Sequence, residues 1–299
     1  MKFDVTFLGT GQAVPTASRN HISIFVNSFN YGLLFDCGEG TQRQFRKAGV
    51  SLTKVDKVFI SHWHGDHVLG LPGFIQTLSL AGHNRTVEFY GPKGTKDNIS
   101  ELLKVFPHHQ KVKIVIHEVS KGIIFENDDF FVECSLMTHT VPCLAFSIVG
   151  KDKLRIDSAK LKKFNIPNSP LLGDIKAGKD VVINGKKVKS KSLTYAEPGK
   201  KLTIIFDSSP NDNAVRLAKN STALICESTY GDNEEETALE YKHMTSRQAA
   251  SIAKKSKSKI LLLTHFSQRY EHKESILLDQ ACEVFKNTKL TNDLDKFEF

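Results

Sequence analysis

The sequence predicts a mixed α/β protein built on β-sheet and carrying one lysine-rich insertion. Three observations predict it. Short runs of apolar, β-branched residues recur along the chain and alternate with helical patterns. Four of these runs each end on a metal-ligand type of residue: 58–60 leads to His62, 130–137 to His139, 202–206 to Asp207 and 260–263 to His265. Residues 151–200 break the rhythm, with thirteen Lys and Arg against five Asp and Glu.

In chain order, residues 3–8 alternate apolar and polar and meet Gly9-Thr10-Gly11, a strand feeding a tight turn. Ile22, Ile24 and Val26 mark a second strand and 31–35 a third; their short turns predict antiparallel hairpins. A helix covers 44–48. The strand 58–60 runs into Ser61-His62-Trp63-His64-Gly65-Asp66-His67, and the apolar spacing of Val68 through Leu78 predicts one core-facing helix with Pro72 near its start. A strand at 87–90, a helix at 95–106 and strands at 112–119, 122–131, 130–137 and 145–149 follow. Residues 151–199, punctuated by Pro167, Pro170, Gly173, Gly178 and Gly185, read as an inserted arm too polar for a domain of its own. The flanking segments, 1–150 and 200–299, form the core domain. Its second part holds strands at 202–206, 223–226 and 260–263, and helices at 211–219, 245–255 and 276–285. Residues 232–236 read as an acidic, solvated turn, and the charged tail after Lys286 is expected to fray.

The chain has 299 residues, 40% hydrophobic and 25% charged, enough for a sizeable core. No apolar run approaches the ~20 residues of a membrane span. The first residues enter a strand without a signal-peptide pattern, and the five scattered cysteines form no CxxC pair. A cytoplasmic protein with reduced thiols is expected. The net charge of +8 points to a polyanionic partner, and residues 151–200 carry a surplus as large as that of the whole chain.

His62, His64, Asp66 and His67 place four metal-capable side chains within six residues. Imidazole nitrogen and carboxylate oxygen suit zinc. In extended backbone, residues two apart face one side, so His62 and His64 can share one ion. Asp66 and His67, beyond the turn that Gly65 permits, can face another. With the strand-end residues, His62, His64 and His139 would hold one ion and Asp66, His67 and His265 the second. Asp207 would bridge ions about 3.5–4 Å apart. Such a pair activates water near neutral pH and suits phosphodiester hydrolysis, with Asp66 as proton acceptor. His243 is the candidate general acid for the leaving oxygen, and Glu227 could hold its ring. The remaining histidines, 21, 83, 108, 109, 117 and 272, lie off this pattern.

Together, Leu8-Gly9-Thr10-Gly11, Asp36-Cys37-Gly38-Glu39-Gly40-Thr41-Gln42, His62-Trp63-His64-Gly65-Asp66-His67, Glu227-Ser228-Thr229-Tyr230, His243-Met244-Thr245-Ser246 and His265-Phe266-Ser267-Gln268-Arg269-Tyr270 resemble the ribonuclease Z family of the metallo-β-lactamase fold. These enzymes remove 3′ trailers from precursor tRNA. The resemblance implies an αββα sandwich, two zinc ions per subunit (with manganese as a substitute) and a homodimer. It also implies that the lysine-rich arm grips tRNA, through residues such as Lys162, Lys163 and Lys176. Arg19, Asn20 and Arg269 are further RNA-facing candidates. Three stretches depart from the family pattern: Phe206-Asp207-Ser208 stands where Gly-Asp-Thr is usual, Ala17 stands where lysine is common, and Ala145-Phe146 replaces Gly-Tyr. A hydrolase of small phosphodiesters or thioesters would need no remote grip, and a non-catalytic RNA-binding subunit would need no intact ligand set.

Overall fold

The computed structural model describes residues 2–105, 112–163, 165–166, 169–183 and 185–299. The expected helix end at Phe106, His108, His109 and Pro167 lie outside the described residues. The strands are β1 Asp4–Gly9, β2 Ser23–Ser28, β3 Tyr31–Phe35, β4 Val55–Phe59, β5 Thr86–Gly91, β6 Lys113–Glu118, β7 Gly122–Glu126, β8 Phe130–Met137, β9 Cys143–Gly150, β10 Lys153–Ile156, β11 Val181–Ile183, β12 Lys186–Val188, β13 Thr194–Glu197, β14 Lys201–Ile205, β15 Ala223–Glu227, β16 Leu261–Thr264, β17 Thr288–Leu290 and β18 Lys296–Glu298.

Residues 1–149 and 201–299 form one compact unit built on two seven-stranded sheets. The first has the order β18-β1-β2-β3-β4-β5-β6 and the second β17-β16-β15-β14-β9-β8-β7. β1, β2 and β3 are antiparallel neighbours; a short turn at Phe29-Asn30 joins β2 to β3 as expected, whereas residues 10–22 form a long loop between β1 and β2, and β3 to β6 run parallel.

Strand periodicity sorts the side chains into layers. Val5, Phe7, Leu33 and Phe35 of the first sheet pack against Ile204, Ile225 and Leu262 of the second. The alternate residues Leu8, Leu34 and Val58 join Phe45, Phe74 and Ile99 of the helices Thr41–Lys47, Leu71–Leu80 and Thr95–Val105. On the far side, Ile205, Leu224, Leu261 and Leu263 pack under Ala249, Ala253, Leu277 and Ala281 of the helices Ser246–Lys255 and Ser275–Val284. Strands buried on both faces read as continuous apolar runs such as Leu261-Leu262-Leu263. The result is the αββα sandwich.

Three elements differ from expectation. The helix after the motif is two pieces, Gly65–Val68 and Leu71–Leu80. Gly70 lies between them, with its N–H on the Cys37 carbonyl and its Cα so close that a Cβ would come within 2.0 Å of the Gly38 oxygen. The acidic stretch, read as a turn, opens the helix Glu235–Tyr241. Glu235 and Glu236 occupy its first turn, where the helix dipole favours negative charge. The tail after Lys286 is ordered, because its alternating residues pair as β17 on β16 and β18 on β1, closing an edge of each sheet.

Residues 150–200 form a second compact unit. It contains the hairpin pairs β10–β13 and β11–β12 and a small apolar cluster of Ile166, Ile175, Val181 and Leu193. The segment thus has a core of its own. Its apolar runs, such as Leu171-Leu172 and Val181-Val182-Ile183, are only two or three residues long and set among lysines, so they do not reveal a core in sequence.

Candidate metal centre

β14, β15 and β16 run parallel, so Asp207, Glu227 and His265 emerge at one sheet edge. Thr138, just past β8, bridges Ser209 and brings His139 to the same edge. In the facing sheet the parallel strands β3 and β4 deliver Asp36, His62 and the turn that follows.

The seven expected ligands converge in two groups that meet at Asp207. His62, His64, His139 and Asp207 place one donor atom each within 4.8 Å of the others, and so do Asp66, His67 and His265. The Asp207 carboxylate faces both. Its Oδ2 lies 3.5 Å from His62 Nε2 and 3.6 Å from His139 Nε2, while its Oδ1 lies 3.3 Å from His67 Nε2 and 3.1 Å from His265 Nε2. Asp66 Oδ2 is 3.5 Å from His67 Nε2 and 3.6 Å from His265 Nε2.

The Nδ1 side of these rings is held from behind. His67 Nδ1 meets Asp36 Oδ2 at 2.6 Å, His62 Nδ1 meets Ser61 Oγ at 3.0 Å, His265 Nδ1 meets Thr229 Oγ1 at 3.1 Å and His139 Nδ1 meets the Lys242 carbonyl at 3.1 Å. Such partners fix the ring and turn Nε2 inward. Asp36 and His265 themselves have φ of 53° and 62°, a region that L-residues rarely occupy and that is characteristic of functional sites.

The donors fit a divalent cation. Buried His62 Nε2, His67 Nε2, His265 Nε2 and Asp207 Oδ1 make no hydrogen bond, although buried polar atoms are normally satisfied. Burial opposes ionisation of Asp207, yet the imidazoles of His265, His67, His243 and His62 hold its carboxyl well below the usual range. Burial likewise opposes charge on Asp66, and His67 and His265 outweigh it. His62, His64 and His139 are pushed down by burial toward the neutral, ligating form. His67 is pushed down by burial and up, more strongly, by Asp207, Asp66 and Asp36. That concentration of carboxylate is what a divalent ion would neutralise.

His243 lies outside both groups of the expected set, although with Asp207 and His265 it makes a third set of donor atoms within 4.8 Å of one another. Its Nδ1 is 3.0 Å from Glu227 Oε1 and its Nε2 3.8 Å from Asp207 Oδ2. Glu227 is fully buried and also accepts from the Thr229 hydroxyl at 2.6 Å and from the backbone N–H of Ser208 and Met244. Burial lowers the His243 pKa, but the carboxylates of Glu227 and Asp207 outweigh it and raise the ring to about 9, favouring its protonated form.

Asp36, Ser61 and Thr229 were not singled out in sequence. Asp36 follows a buried strand, as His62, Asp207 and His265 do, so the same strand-end signal marks it. Ser61 and Thr229 carry no signal beyond adjacency to a ligand and to Glu227.

The RNA-facing candidates separate. Lys162 and Lys163 are exposed on the helix Ser158–Lys163 and Lys176 is exposed on the helix Leu171–Lys176. Arg269 lies over the Tyr230 ring and pairs with Glu234. Arg19, expected at the RNA surface, is instead buried, because its guanidinium is spent on Thr10, the Thr291 carbonyl, Asn292 and Glu274. Asn20 is partly buried and donates to the Glu39 carbonyl.

Comparison with known proteins bears on the whole chain. The family described as "Anti-Pycsar protein Apyc1" matches residues 3–141. Ribonuclease Z of Streptococcus gordonii is 38% identical over 98% of this chain and 98% of its own length. That of Nanoarchaeum equitans is 37% identical over 99% and 93%. Among solved structures, human tRNase Z, short form, superposes with a TM-score of 0.73 at 28% identity, covering 98% of both chains. The metallo-β-lactamase fold protein YhfI from Bacillus subtilis has the same TM-score at 20% identity and shares the fold. With relatives this similar from end to end, the chain belongs to the ribonuclease Z family, on the metallo-β-lactamase fold.

Proposed function

We propose that the protein is an endoribonuclease that removes the 3′ trailer of precursor tRNA, leaving a 3′-hydroxyl on the tRNA and a 5′-phosphate on the trailer. The observation that carries this is the Asp207 carboxylate set between two ligand groups with the His243–Glu227 pair beside it. Two zinc ions per subunit are proposed, with manganese as a substitute: His62, His64 and His139 for one, Asp66, His67 and His265 for the other, and Asp207 for both. Bound there, they supply Lewis acidity toward the scissile phosphate and make water a nucleophile at neutral pH.

The chain's own groups then divide the proton work. The Asp66 carboxylate orients the attacking water and takes its proton. As the bond from phosphorus to the 3′-oxygen breaks, His243 gives its Nε2 proton to that oxygen. Glu227, bonded to Nδ1, keeps the ring oriented and favours its cationic form.

Lys162, Lys163 and Lys176 are proposed to hold the tRNA backbone through the 151–199 segment, which positions RNA without reading its sequence. Asn20 and Arg269 are proposed to act nearer the cut. Arg19 is proposed to support the 12–20 loop from within. A homodimer and a cytoplasmic location complete the proposal, both carried by the family resemblance. Among the described residues no helix is long and apolar enough to cross a membrane. The test is product analysis on a precursor tRNA: one cut next to the acceptor stem with a 3′-hydroxyl and a 5′-phosphate supports the reading, whereas a 2′,3′-cyclic phosphate contradicts it.

A further inference from the structure

One carboxylate far from the ligands in sequence ties both ends of the loop that borders them. Asp293 lies between β17 and β18. Its Oδ1 accepts from the Thr10 hydroxyl at 2.7 Å and its Oδ2 from the Asn20 N–H at 2.7 Å. Oδ2 also accepts from Gln44 Nε2 at 2.9 Å, whose amide reaches the Leu8 carbonyl at 2.7 Å. Arg19 completes the knot: it donates to the Thr10 hydroxyl at 2.6 Å, so that this hydroxyl's own proton is committed to Asp293.

The loop closed in this way touches the candidate centre twice. The Ala13 N–H donates to Asp66 Oδ2 at 2.9 Å. Thr10 O and Gln12 N pair with the backbone of Phe266, the residue after His265, at 3.0 Å each. Asp66 and His265 belong to the same ligand group. Ala13 has a φ of 34°, which alanine does not favour. That geometry is held by the local bond from the Val14 N–H to the Gln12 carbonyl, by the His21 ring on the Ala13 carbonyl at 3.1 Å and by closure of the loop.

We propose that Asp293 is a positioning residue for the Asp66–His67–His265 group: by closing the 10–20 loop it holds the Ala13 N–H on Asp66 and keeps that carboxylate turned toward His67 and His265. The inference rests on reading the site as a two-metal centre. Groups that orient a ligand from behind typically change metal affinity by about 10- to 100-fold when altered, and the effect here is confined to one of the two ions.

The test uses the full-length chain stripped of metal and titrated with zinc against a chromophoric chelator, with hydrogen exchange read at the Ala13 amide. Wild type takes two ions. In Asp293→Asn one binding event weakens about tenfold or more while the other is unchanged, and Ala13 exchanges faster. Thr10→Val, which removes only the hydroxyl between Arg19 and Asp293, shifts both readouts in the same direction and decides the matter if Asp293→Asn does not fold. Two events of wild-type affinity with unchanged exchange overturn the proposal. Equal weakening of both ions also overturns it, since a general loss of stability acts on both. A wild-type chain that takes up no zinc overturns the underlying metal-centre reading, and the proposal with it.

Discussion

His243 and Asp36 allow proton delivery to be separated from metal holding, one residue at a time. His243 is bonded to Glu227 and lies outside both groups of expected ligands. His243→Ala should leave zinc content at the wild-type value and lower kcat on precursor tRNA by about 100- to 10,000-fold, the range for loss of a general acid. Parallel loss of metal would assign His243 to the ligands instead. Asp36 is fully buried against His67 Nδ1 at 2.6 Å and the Ser61 hydroxyl at 2.6 Å. Asp36→Asn keeps the shape and removes the charge that fixes the His67 tautomer. Zinc affinity should fall about 10- to 100-fold, read by competition with a chelator. Unchanged affinity would mean that packing alone orients the ring.

At the scale of elements, Thr245 links a helix to the acid that precedes it. Its side chain accepts from Gln248 N at 3.3 Å, and Gln248 returns a bond to Thr245 N at 3.0 Å, a capping box two residues after His243. Thr245→Ala should cost about 1 kcal/mol in denaturant unfolding; a loss within error would show the cap to be replaced by solvent. This helix was legible from its spacing and its polar entry, and so were most core strands, because burial on both faces leaves unbroken apolar runs. The clustering of the seven candidate ligands was legible because each follows a strand or lies in the single dense motif. What was not legible has a common cause: partners distant in sequence. β17 and β18 are short, half-polar and indistinguishable from a frayed tail until β16 and β1 are beside them. Arg19 reads as a surface cation until Glu274 and Thr291 surround it. The break in the helix at Gly70 comes from the Cys37 carbonyl, thirty-three residues earlier, which takes the Gly70 N–H.

For the molecule as a whole, the surplus of positive charge is concentrated in residues 151–200, apart in sequence from the candidate ligands. Residues 150–200 are a compact unit whose ends meet, with Gly150 N on the Lys200 carbonyl at 2.9 Å. Replacing 151–199 by a short glycine linker should therefore leave the sandwich folded. Cleavage of precursor tRNA should fall steeply while hydrolysis of bis(p-nitrophenyl) phosphate persists, since a small ester needs no phosphate contacts remote from the cut. Equal loss of both activities would place the segment in the chemistry itself. The most direct measurement of the central claim is cleavage of an end-labelled precursor tRNA by wild type and Asp66→Ala, each with and without chelator. The account predicts a single cut at the 3′ end of the acceptor stem, abolished by chelation, restored by zinc or manganese, and absent in Asp66→Ala. A cut that survives both the chelator and the substitution would contradict it.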